Sequence, residues 1–157
     1  MNNENKFMQE AIDLAMENMN KKNGGPFGAV VVKDGKIIGR GVNTVTTHND
    51  PTAHAEVNAI REACTNLNDF QLKDCEIYSS CEPCPMCLGA IYWARPAKLY
   101  FAATKDDAAA AGFDDSEIYT EISLPKNKRK IPTEQLLHKE AKKVFKNWIK
   151  QDDKIEY

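Results

Sequence analysis

Residues 75–102 switch periodicity twice, and that switch restricts the fold more than any other feature of the chain. Cys75-Glu-Ile-Tyr-Ser79 reads as a short strand, the stretch that follows Pro83 as a helix stopped by Arg95-Pro96, and Lys98-Leu-Tyr-Phe-Ala102 as a second strand. Strand, helix and strand at this length predict a parallel crossover with its helix packed on the sheet. Upstream, Asp34-Gly35 separates two β-prone runs, 29–33 and 36–43, and predicts a hairpin. Met8, Ile12, Ala15 and Met19, flanked by Phe7, Ala11 and Leu14, recur at helical spacing, and Asn23-Gly24-Gly25 ends that helix. The polar stretch 44–50 reads as irregular. A helix is expected over 53–67, with Pro51 near its start and Asp50 or Thr52 as its cap. Beyond 103 come an Ala-rich segment at 107–111, a turn at 112–116 and a final helix over 139–151. The sum is an α/β chain, a three-layer α/β/α sandwich around a mixed five-stranded sheet. At 157 residues it suits one domain spanning 1–157, with 126–157 as a C-terminal helix and tail.

Charge and cysteine usage narrow the function classes. Net charge is −2, which argues against a chain built to coat nucleic acid. The charge is unevenly spread: 1–125 holds 11 Lys/Arg against 18 Asp/Glu, and 126–157 holds 10 against 5. In that basic tail Leu137, Ala141, Val144, Phe145 and Trp148 form an apolar stripe with lysines outside it, the pattern of a solvated helix face. No run is apolar enough for a membrane span, and the N-terminus lacks the apolar core of a signal peptide. A cytoplasmic location is therefore expected, where five reduced cysteines point to metal or catalytic use before disulfides. Cys64 and Cys75 read as small apolar fillers. Cys81, Cys84 and Cys87 cluster within seven residues.

That cluster pairs with His54-Ala55-Glu56. Histidine and thiolates suit zinc, and three protein ligands leave the fourth tetrahedral position for water. Cys84 and Cys87, three apart, share a helical face. His54 and Glu56 lie about 200° apart around a helix axis, yet both reach a site beyond the helix N-terminus, because first-turn side chains tilt that way. Glu56 would stand beside the metal without ligating it, as proton shuttle. Zinc lowers the pKa of its bound water to roughly 7. A structural zinc knuckle would want four protein ligands, and a redox pair would not need His-x-Glu. Cys81 reads as a pocket or packing residue rather than a ligand.

His-x-Glu followed by Pro-Cys-x-x-Cys is the signature of zinc nucleobase deaminases. Pro26-Phe27-Gly28-Ala29, Asn43, Asp50-Pro-Thr-Ala-His-Ala-Glu56 and Cys81-Glu-Pro-Cys-Pro-Met-Cys-Leu-Gly-Ala90 resemble the core of the cytidine deaminase superfamily. Ile91-Tyr-Trp-Ala-Arg-Pro96, Ala111-Gly-Phe-Asp-Asp-Ser-Glu-Ile-Tyr119 and the terminal Glu156-Tyr157 resemble its small bacterial guanine deaminase branch. The resemblance implies a cytidine deaminase-like fold and one zinc ion per subunit on His54, Cys84 and Cys87, with Glu56 catalytic. It implies purine contacts from Phe27, Asn43 and the Ala55 N–H, and closure by Asp115 and Tyr157, with Asp114 the alternative to its neighbour. The reaction it implies is hydrolysis of guanine to xanthine and ammonia. It also implies a homodimer whose C-terminal segment crosses to the neighbouring subunit, although the residues alone leave open whether the tail closes its own site.

Much of the core is shared with tRNA adenosine deaminases, which keeps that activity as an alternative. A guanosine or aminotriazine deaminase is another. A non-catalytic zinc or nucleotide-binding protein is the alternative of a different class, and an intact Glu56 speaks against it. A small purine base is the expected partner, with no membrane and no nucleic acid.

Overall fold

In the computed structural model, which describes residues 3–157, helix α1 (Asn3–Asn20) leads into a hairpin of β1 (Gly28–Lys33) and β2 (Lys36–Val42). Asp34 and Gly35 turn the hairpin at φ of 50° and 72°. Both values are positive, as a two-residue primed turn requires if its twist is to match the strands. There follow α2 (Val45–His48), α3 (Ala55–Leu67), β3 (Cys75–Cys81), α4 (Pro85–Ala94), β4 (Lys98–Ala103) and α5 (Lys105–Ala110). The sheet order is β2-β1-β3-β4, with β1 antiparallel to both neighbours. The expected parallel crossover joins β3 to β4, with Ile77 opposite Leu99 and Ser79 opposite Phe101.

The sheet has four strands where five were expected. Among the described residues no further segment pairs with the sheet, and just past β4 Thr104 starts a helix. Its hydroxyl accepts from the Asp107 N–H, and the Asp107 carboxylate accepts from the Thr104 N–H. This capping box turns the alanine-rich run helical, and alanine is in any case a poor strand former.

Side chains alternate across the sheet and build a core on each face. Val30, Val32 and Tyr78 meet Phe7, Met8 and Leu14 of α1. Ala29, Val31 and Ile77 meet the alanines of α3 together with Ile91 and Ala94 of α4. Helices therefore cover both faces, as expected of a three-layer sandwich. The α3 backbone lies directly on β2: a Cβ on Gly39 would fall 2.5 Å from the Ala59 carbonyl, and one on Gly41 2.0 Å from that of Ala55. Those glycines set the height of the first turn of α3.

That turn begins at Ala55, two residues later than expected. The Asp50 carboxylate accepts from the Thr52 N–H at 2.8 Å and the Thr52 hydroxyl at 2.7 Å, which holds Pro51 in a turn outside the helix. The stretch expected to be irregular contains the single helical turn α2, ended by Asn49 in the left-handed region.

The chain divides into two compact units, one ending at Asp115 and the other Ser116–Tyr157. The second contains α6 (Ser116–Ser123), a 3-10 turn at Lys126–Lys128 and α7 (His138–Ile149). Lys130 bridges Glu117 at 2.6 Å within it. Val144, Phe145, Trp148 and Ile149 stand exposed along α7. Among the described residues no helix is long and apolar enough to cross a membrane.

Candidate active site

Two helix starts converge on one point. His54 occupies the N-cap position of α3 and Cys84 that of α4, both with extended backbones, and neither side chain caps its own helix. Each is free to point past the helix end. Pro85 follows at the first helical position, where its missing N–H costs nothing and its fixed φ sets the turn. Cys87, fully buried, comes from the same first turn.

One ligand atom from each of His54, Cys84 and Cys87 lies within 4.8 Å of the other two. The His54 Nδ1 is 3.6 Å from the Cys84 sulfur and 3.4 Å from that of Cys87. Zinc bonds of about 2.3 Å to sulfur and about 2.05 Å to nitrogen give a regular tetrahedron an N···S edge of about 3.6 Å. The donor set fits zinc in both chemistry and spacing.

Hydrogen bonding and burial shift the ionisation of all three groups. The hydrogen bond from Cys87 is the main influence holding the Cys84 thiol down at about 4. Cys87 is correspondingly raised, first by that same bond and then by burial. His54 is raised by its bond to Cys84. The N-terminal ends of α3 and α4 add positive potential that favours thiolates.

Glu56, in the first turn of α3, is 6% exposed. Burial raises its pKa. Its Oε2 lies 3.4 Å from the Cys87 sulfur, and its Oε1 accepts from the Ser79 hydroxyl at 3.2 Å. The carboxyl group thus sits against the three-residue cluster without belonging to it. Chemically, the arrangement can hold a metal with one open position and move a proton beside it.

The residues expected to contact the purine have their own surroundings. Asn43 Oδ1 accepts from the N–H groups of Gly25 and Val45, both at 3.3 Å, so the amide presents its Nδ2 as a donor. The Ala55 N–H is the first of the helix and lacks an acceptor within it. The Phe27 ring receives Phe113 edge-on at 4.9 Å between centroids. Asp115 has its carboxyl raised by burial first and then by the nearby charge of Cys84. Tyr157 is an exposed residue of the second unit.

Three contributors were not read from the sequence. Asn18, 3% exposed, donates to the carbonyls of Gly25 and Asn43 at 2.9 Å each and so ties the Asn43 loop to α1. Ser79 and Phe113 are the others. Cys81 stays outside the cluster, its thiol on the Thr104 carbonyl at 3.5 Å and pushed by burial to about 11. Cys75 is buried, and Cys64 packs against the core on the α3 side, as expected of fillers.

Residues 1–103 match the cytidine and deoxycytidylate deaminase zinc-binding region. The chain belongs to this deaminase family. Its metal is zinc, and its chemistry is hydrolytic deamination. The chain is 57% identical to the guanine deaminase of Bacillus subtilis over 100% of both chains. The X-ray structure of guanine deaminase from Bacillus subtilis superposes with a TM-score of 0.96 over 100% of this chain and 99% of that one. A tRNA-specific adenosine deaminase of Buchnera aphidicola is 40% identical over 80% of each chain.

Proposed function

We propose that this chain is a zinc-dependent guanine deaminase: guanine and water yield xanthine and ammonia. The placement of Glu56 carries the catalytic reading, since a buried carboxyl group held against a three-ligand cluster is where a proton shuttle must stand. His54, Cys84 and Cys87 hold the metal. Bound there, zinc supplies a Lewis acid and a water acidified to near neutrality. Glu56 would take one proton from the attacking water and pass it to the ring nitrogen next to C2, then carry the second, from the hydroxyl gained at C2, to the departing amine, which leaves as ammonia. Asn43 donates to an acceptor on the purine, the Ala55 N–H to another, and Phe27 lies against the ring. Asp115 takes part in closing the site, since Cys84 is among the charges that raise its carboxyl pKa.

The choice of guanine rests on 57% identity sustained over the whole chain, whereas tRNA-specific adenosine deaminases are 40% identical over 80% of it or 34% identical over 92% of it. The same reading makes the protein a cytoplasmic homodimer in which the C-terminal segment of one copy closes the site of the other, with Tyr157 over the substrate. The exposed apolar residues of α7 and the opposite charge balances of 1–125 and 126–157 support that exchange.

Ammonia release from guanine, guanosine, adenine, cytosine, ammeline and an RNA hairpin tests the substrate. Free guanine should be the best, and the hairpin inert; inosine formation in tRNA without guanine turnover would reverse the reading. Glu56→Gln should keep about one zinc per chain and lose at least 100-fold in kcat, an amount typical of acid–base groups. Loss of zinc along with activity would make Glu56 structural.

A further inference from the structure

We infer that Ser79 is a positioning residue that fixes the rotamer of Glu56 for proton transfer. The inference rests on the shuttle role proposed for Glu56.

Ser79 lies in β3, which is paired on both sides: its backbone is in register with Ala29 of β1 and Phe101 of β4. The strand is held by two ladders, so the Cα of Ser79 cannot drift. Its side chain, 2% exposed, points to the same face as Ile77, the face covered by α3. There its hydroxyl donates to Glu56 Oε1 at 3.2 Å. Ser80, one residue on, points the other way and accepts from the Gly28 N–H at 3.0 Å, a contact that joins β3 to the start of β1. Two adjacent serines therefore do separable jobs.

The second hydrogen bond to Glu56 comes from the Cys87 thiol, to Oε2. A zinc-bound Cys87 is a thiolate and has no proton to donate. Ser79 is then the remaining side-chain donor to that carboxylate among the described residues. It holds Oε1 toward β3 and turns Oε2 toward the cluster, where the proton must be collected. A glutamate with three rotatable bonds needs such a restraint, since a displacement of about 1 Å at a reacting group can cost 100-fold in rate.

Ser79→Ala, with Ser80→Ala as its neighbour control, tests this on the zinc-loaded protein. Ser79→Ala should keep its zinc and its KM for guanine and lose about 10- to 100-fold in kcat. Its Glu56 infrared band, isolated by difference against Glu56→Gln, should shift as one hydrogen bond is removed. Ser80→Ala should lower Tm while leaving that band in place and kcat within about twofold. An unshifted band with kcat within about twofold in Ser79→Ala, in a protein whose Glu56→Gln form is inactive, would overturn the inference and leave the shuttle intact. An active Glu56→Gln would instead remove the shuttle reading on which it stands.

Discussion

Asn43 illustrates how a single amide can be given a polarity. Its oxygen is committed to two backbone N–H groups, and Asn18 secures its carbonyl. A side chain that could accept or donate is left to donate. Asn43→Asp keeps the shape and the two accepted bonds but turns the nitrogen proposed to meet the purine into an oxygen. It should raise KM for guanine about 30-fold, the equivalent of about 2 kcal/mol for a donor replaced by an acceptor, with Tm changed by only a few degrees. Steady-state kinetics on the folded variant checks this, and an unchanged KM would show that the Nδ2 end does not meet the substrate.

Among the elements, α3 matters most, because it delivers both His54 and Glu56 and rests on glycines. Gly41→Ala would place a methyl 2.0 Å from the Ala55 carbonyl. Backbone cannot yield as a side chain would, so the helix must lift. Thermal unfolding should show a loss of about 1–3 kcal/mol, the usual result of overpacking, and zinc affinity should fall with it because His54 moves. Gly35→Ala is the comparison: nothing lies within 4 Å of its Cβ, so only its positive φ is strained and zinc affinity should hold. The elements also mark what could be read in advance. The crossover and the hairpin were legible from local periodicity and turn residues, and the ligand set because His-x-Glu and Cys-x-x-Cys are short motifs, even though 30 residues separate His54 from Cys84. The start of α3 was not, because an Asp50 side chain competing for local N–H groups outweighed the helical pattern. Ser79, Asn18 and Phe113 were not, because their contacts join positions distant in sequence and leave no local trace. The fifth strand was an expectation of architecture with no segment of its own behind it.

At the scale of the whole molecule, the last three residues should decide activity without deciding the fold. The body up to Asp115 holds the core, the ligand cluster and Glu56. Deleting 155–157 should therefore leave Tm and zinc content within error and reduce turnover at least 100-fold by opening the site to water. In the exchanged dimer proposed above, an inactive Glu56→Gln chain mixed with the truncated chain should regain activity after subunit exchange. One of its mixed sites would pair an intact Glu56 with an intact Tyr157. Full activity of the truncated protein alone removes the closing role. Absence of rescue on verified exchange assigns the tail to its own subunit.

The convergence of two helix N-termini also settles the electrical balance of the site. Each such end carries roughly half a positive charge. Together they match one carboxylate, and Glu56 is the buried carboxylate there. A divalent ion against two thiolates and a neutral imidazole sums to zero by itself. A divalent metal, its three ligands, Glu56 and the two helix ends would therefore balance to zero, so that the charge met by an entering uncharged heterocycle is set by the Asp115 carboxyl beside them.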